Sequence, residues 1–227
     1  MERKPLPQDI THPQQAVAVV LQVRDGRLQA LLWRRALAPA RGRWALPGGL
    51  LERETLERAI RRHLAQKVDV RELSHLEQLE TRADPRTGVV TTAYLGLVRS
   101  GLDPAVPADT SWHPVDELPA AAFDHGPIVL AGRDRLRAKL SYTNLGFALA
   151  PETFTISELR DLYAAALGHD VSATNLQRVL LRRGALVPTG ERRPAGRTGG
   201  RPAETYRFRT AELEITDPFA VLRPRPE

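Results

Sequence analysis

The sequence predicts an α+β protein in two parts, and three observations support this. Two apolar, β-branched runs, residues 16–23 and 28–33, flank Asp25-Gly26, a strong hairpin signal. Gly48-Gly49 then precede a stretch in which Leu56, Ala59, Ile60 and Leu64 recur at helical spacing. After Asp124 the period turns helical, and the chain closes with two short helices and a strand pair rich in arginine.

Each element follows from local chemistry. Residues 34–43 form a basic, proline-containing loop, and Trp44-Ala45-Leu46-Pro47 lead a strand into Gly48-Gly49. There the two glycines are expected to end the strand, because the backbone can bend where a side chain would obstruct it. Thr55 is placed to cap the following helix, with Glu57 and Arg61 paired one turn apart on its exposed side. Residues 73–82 read as a strand and Asp84-Pro85-Arg86-Thr87-Gly88 as a turn. Residues 89–98 alternate, with Val90, Thr92, Tyr94, Gly96 and Val98 on one face. Residues 101–110 are loop, and 112–119 a strand running into a turn. Asp124-His125-Gly126-Pro127 opens a helix reaching about Ser141, with Asp124 as its cap. Residues 142–151 read as a connector with the boundary near Leu149, dividing the chain into 1–149 and 150–227.

In the second part a helix over 158–167 stops at Gly168, and another begins after Ser172 and stops at Gly184. A strand at 185–187, a Gly/Arg/Pro-rich excursion over 190–203 and a returning strand at 205–208 complete a winged helix-turn-helix.

Composition narrows the partners. No apolar run nears the roughly 18 residues of a membrane span, and the N-terminus lacks the apolar core of a signal peptide, which points to the cytoplasm. Without cysteine there is no disulfide framework and no thiolate zinc site. Net charge is +6, and residues 178–209 alone hold nine arginines against Glu191 and Glu204, a net of +7. The rest of the chain is therefore nearly balanced, and the basic stripe is the electrostatic footprint of a nucleic-acid reader. The alternative is a solvated arginine-rich loop; winged helices with such loops also bind RNA.

The stretch from Gly48 to Lys67 resembles a Nudix box, the loop and helix in which Nudix hydrolases hold divalent metal against a nucleoside diphosphate. Here the box is degenerate. Arg62 matches its arginine, but His63 replaces the first glutamate, Gln66 and Lys67 the glutamate pair, and Asp69 the closing glycine, and the loop is one residue short. Hard cations want oxygen ligands, so no metal and no catalytic residue is assigned. Gly42-Arg43-Trp44-Ala45-Leu46-Pro47-Gly48-Gly49, Asp84-Pro85-Arg86, Ala122-Phe123-Asp124-His125, Phe154-Thr155 and Asn175-Leu176-Gln177-Arg178 with its Gly-Arg-Pro wing together resemble the Nudix-related regulators of NAD metabolism, the NrtR family. The resemblance implies a Nudix-like α/β/α sandwich with a mixed sheet, a winged-helix reader of double-stranded DNA at a pseudo-palindromic operator, and a homodimer. It also implies repression of NAD biosynthesis or salvage genes, with ADP-ribose or a related NAD metabolite as effector; the missing box carboxylates lead to the expectation of no cofactor and no enzymatic activity. The alternative is a Nudix pyrophosphohydrolase acting on ADP-ribose or another nucleotide sugar.

Candidate residues follow. Arg61, Arg62 and Lys67 are fixed cations for a diphosphate in place of metal, or ordinary helix charges. Trp44 and Phe123 are stacking platforms for a base, or core. Asp124-His125 reads as a capping turn in the pocket wall ahead of an acid/base pair. Arg43, Gly48, Gly49, Glu52 and Arg82 complete the effector set. For DNA the set is Thr174, Asn175, Gln177, Arg178, Arg182, Arg183, Arg192, Arg193, Arg197 and Arg201, since arginine pairs with guanine and amides with adenine in the major groove.

Overall fold

The structure is a computed structural model that describes residues 13–85, 87–194 and 202–217. Its centre is β1 (Gln14–Arg24), buried on both faces. Val17, Val19, Leu21 and Val23 point one way, and Ala16, Ala18 and Val20 the other. Asp25 (φ 49°) and Gly26 (φ 73°) turn the chain into β2 (Arg27–Arg34), the paired left-handed residues a two-residue hairpin demands. The strands β3 (Trp44–Ala45), β4 (Gly48–Leu50), β5 (His75–Ala83), β6 (Val90–Leu97) and β7 (Thr110–Pro114) complete a seven-stranded mixed sheet. The order β3-β2-β1-β6-β5 contains one parallel pair, β1 with β6; β7 lies on β2, and β4 pairs with the first residues of β1.

The glycines do not end a strand as expected; they form one. Gly48 lies opposite Val17 and Gly49 opposite Ala16. A Cβ on Gly48 would stand 2.2 Å from the Ala16 carbonyl and 2.6 Å from the Val17 Cα, so the reason for glycine here is backbone approach rather than bending.

Helix α1 (Leu56–Lys67) lays Ala59, Ile60 and Leu64 on one face of the sheet, and Thr55 caps it by accepting from the Arg58 amide. Helix α2 (His125–Tyr142) covers the other face through Ile128, Val129, Leu136 and Leu140. Asp124 precedes α2 but makes no side-chain cap; its carboxylate turns to Arg82 at 3.2 Å.

The expected connector is core. Thr143, Asn144 and residues 145–150 are all buried, in part as a short 3-10 turn over Leu145–Ala148. The Asn144 amide donates to the Glu212 carbonyl and its oxygen accepts from the Glu214 amide, fastening the chain after the wing against the end of α2. Strand β8 (Phe154–Thr155), which local pattern does not announce, pairs with β10 (Ala203–Phe208), and β10 pairs with β9 (Leu186–Arg193). Helix α3 (Ile156–Leu167) starts with a reciprocal Thr155–Glu158 capping box and ends at Gly168 (φ 77°). Helix α4 (Ala173–Arg182) is capped by Ser172. One apolar cluster runs from Val17 and Leu21 through Leu145 and Phe147 to Phe154, Tyr163 and Phe208, so the winged helix sits on the sheet rather than beyond a tether.

Candidate functional site

The arginines of the box helix pair with carboxylates of their own chain. Arg62 grips Glu54 through Nε (3.0 Å) and Nη2 and reaches Glu52 at 3.3 Å, and Arg61 pairs with Glu57 at 2.9 Å. The three carboxylates left in the box region are thus taken by arginines. His63 is buried, its Nε2 3.1 Å from the Leu50 carbonyl, and its ring fills the space that a Cβ on Gly49 would occupy. Burial lowers the His63 pKa. Gln66 is exposed. The Lys67 ammonium donates to the Gly48 carbonyl at 2.5 Å and lies 4.8 Å above the Trp33 ring. This donor set does not fit a hard divalent ion, which wants several free oxygen ligands. Among the described residues no group of three or more His, Cys, Asp or Glu side chains is arranged for a metal.

Arg35, which sequence pattern did not single out, is the second cation of this region. Its Nε donates to the Pro39 carbonyl at 2.9 Å, and its guanidinium stacks 5.1 Å from Phe123. Phe123 is 57% exposed at a positive φ of 55°, an unusual backbone for a bulky residue, and this presents its ring outward. It borders a cleft of about 400 Å³ with Arg82, Asp84, Pro85, Thr91 and Asp124. Arg82 is held between Glu80 at 2.8 Å and Asp124 at 3.2 Å, so it shapes the wall as part of a charge-balanced group. Arg43 is exposed. Trp44 is partly buried: His113 packs edge-on at 4.5 Å and Arg34 stacks at 4.7 Å.

His125 is a clamp. Its Nδ1 accepts from the Leu46 amide at 2.9 Å, which puts the neutral ring's proton on Nε2 and ties α2 to the segment before Gly48. Burial, opposed by Asp124 and reinforced by Arg35, pushes its pKa down to about 4. A histidine with a depressed folded-state pKa binds its proton more readily when unfolded, so stability is lost as pH falls from 6.5 toward 4. His125→Asn, which keeps an acceptor without the titration, is expected to flatten that slope by up to about 3 kcal/mol. Urea titrations at pH 7 and pH 4.5 check this; equal slopes in both proteins would refute it.

On the winged helix, α4 buries Leu176 and Leu180 and turns Thr174, Asn175, Arg178 and Arg182 outward. Asn175 accepts from Arg178 at 2.8 Å, which aligns the two along the exposed face. Three members of the expected reading set have other partners. The Gln177 amide donates to the Tyr206 hydroxyl at 2.9 Å, fixing the helix to the wing strand. Arg183 donates to the Ser141 carbonyl at 2.9 Å and to Asp217 at 2.6 Å, fixing α4 to the end of α2. Arg193 lies 2.5 Å from Glu158 and fixes the base of the wing to the start of α3. Arg192 is exposed, and Arg197 and Arg201 lie outside the described residues. No helix among the described residues is long and apolar enough to cross a membrane.

Comparisons to known proteins bear on both parts of the chain. A NUDIX domain family model matches residues 12–131, and a model of the NrtR DNA-binding winged helix domain matches residues 146–208. The ADPR responsive transcriptional repressor NtrR of Acinetobacter baylyi is 29% identical over 218 residues, 91% of this chain and 86% of its own length. The structure of Shewanella oneidensis NrtR complexed with a 27mer DNA is 31% identical, covering 86% of this chain and 93% of that one with a TM-score of 0.72. Shewanella oneidensis NrtR in a second crystal structure is 30% identical over 86% and 94%, with a TM-score of 0.75. With a mixed Nudix sheet, its box helix and a winged helix in one chain, the protein belongs to the NrtR family.

Proposed function

We propose that the protein is a transcriptional repressor whose winged helix reads duplex DNA and whose Nudix-like part senses ADP-ribose without hydrolysing it. The observation that carries this reading is α4, which keeps its apolar side in the core and presents Thr174, Asn175, Arg178 and Arg182 together on the outward face. An outward helical face of this chemistry suits the major groove. A relative solved on DNA and another described as an ADPR responsive repressor support the same reading. The regulated genes are those of NAD biosynthesis or salvage. The functional division falls near Leu149, with sensing before it and DNA reading after it. Because a single winged helix buries little surface, the protein binds as a homodimer at a pseudo-palindromic operator. The replacement of the box glutamates by His63, Gln66 and Lys67, with Glu57 paired to Arg61 and Glu52 and Glu54 to Arg62, argues against pyrophosphohydrolase activity.

Titration of the protein against promoter DNA beside its own gene, with and without ADP-ribose, tests the proposal. ADP-ribose is expected to change the affinity and to remain intact in Mg²⁺. Steady AMP release abolished by Glu52→Gln would favour the hydrolase instead. Arg178→Ala is expected to cost about 1–3 kcal/mol on the operator and to relax preference at one position. Arg192→Ala is expected to weaken operator and scrambled DNA alike and to lower the salt slope by about 0.9. The reverse pattern would exchange the roles of helix and wing; no effect of either would remove α4 and the wing from the DNA interface.

A further inference from the structure

Resting on the effector reading above, we infer that Lys67 is a built-in cation that, with Arg35, clamps the diphosphate of a nucleoside diphosphate and makes divalent metal unnecessary. The inference starts from which cations remain open. Arg61, Arg62 and Arg82 are each neutralised by carboxylates of their own chain. Among the described residues, neither Lys67 nor Arg35 has a carboxylate partner. Lys67 occupies a position of the Nudix glutamate pair, so its charge is opposite to the one that would attract a metal. Its ammonium spends one of three donors on the Gly48 carbonyl and keeps two for phosphate oxygens. The Trp33 face and the Gly48 carbonyl hold it in place before any ligand arrives, which reduces the entropy lost on binding.

Arg35 adds the fork that suits phosphate oxygens and stands against the exposed Phe123 ring, which offers a stacking surface for a base. Burial lowers the Lys67 pKa, and the guanidiniums of Arg35 and Arg62 add to that shift; the Trp33 ring under Lys67 lies two residues before Arg35, which sets the two cations near one another. An entering diphosphate relieves this like-charge repulsion, and a divalent cation would increase it. The site therefore selects an anion and rejects the metal that the surrounding fold would otherwise hold.

The test is calorimetric titration of the full chain with ADP-ribose, ADP and inorganic pyrophosphate, each in EDTA and in Mg²⁺. Diphosphates are expected to bind in EDTA at least as tightly as in Mg²⁺, where the metal competes for the free anion. Lys67→Met, which keeps an apolar stem over Trp33, and Arg35→Gln are each expected to weaken binding at least tenfold while the melting transition stays near that of the wild type. Binding that appears only with Mg²⁺, or that neither substitution weakens, overturns the inference. Metal-free, Lys67-dependent binding of ADP but not of ADP-ribose would uphold the clamp and overturn ADP-ribose as the effector. If no diphosphate binds in either buffer, the clamp is overturned, and the DNA titrations decide the regulator reading separately.

Discussion

Gly48→Ala is expected to destabilise the protein by roughly 3 kcal/mol or more, at the upper end of overpacking penalties. The new Cβ would stand 2.2 Å from the Ala16 carbonyl and 2.6 Å from the Val17 Cα, both backbone atoms. No rotamer change relieves such a clash; β4 must move off β1. That movement also breaks the contact of the Gly48 carbonyl with Lys67 and displaces Leu50 from His63. Against a typical total stability of about 5–15 kcal/mol, a loss of this size is readily measured. Urea denaturation followed by far-UV circular dichroism provides the measurement. A midpoint within error of the wild type would mean that β4 does not approach β1 this closely.

Phe154→Ala is expected to cost about 3–5 kcal/mol, the range for emptying a large buried ring site. Phe154 is fully buried, its ring lies 5.5 Å from that of Phe208, and its backbone pairs with Tyr206. Its position gives the prediction a second part. The surrounding apolar cluster extends without interruption into Phe147, Leu145 and the β1 face of the sheet. The loss should therefore lower one cooperative transition for the whole protein. Differential scanning calorimetry distinguishes the outcomes: an early separate melting of the winged helix, with the sheet's transition unmoved, would show that the two cores are energetically independent.

Much of the fold was legible because its causes are local. Asp25-Gly26 satisfied the backbone demands of a tight turn, Thr55 and Ser172 each had an amide three residues ahead to satisfy, and Leu176 and Leu180 lay one turn apart on α4. The connector misled because its burial comes from partners elsewhere. Asn144 satisfies its amide against Glu212 and Glu214, and the Leu145 amide donates to the Thr143 hydroxyl, so polar groups that look like loop are accommodated in the core. Strand β8 was missed because two residues carry no period; its pairing with β10 defines it.

The candidate sites show the same division. From the sequence alone came the two-part plan, the hairpin, the capped helices, the residue types His63, Gln66 and Lys67 in the box, and the basic stripe over residues 178–209. All of these depend on residue type and near-neighbour spacing. Which charges remain open was settled by distant contacts: Arg183 reaches Ser141, Arg193 reaches Glu158, Arg62 takes Glu54, and Lys67 returns to the Gly48 carbonyl. An arginine carries the same charge in a sequence whether it faces a ligand or is neutralised by its own chain. Its availability is a property of the folded surface, because the neighbour that cancels it is brought there by packing rather than by order along the chain.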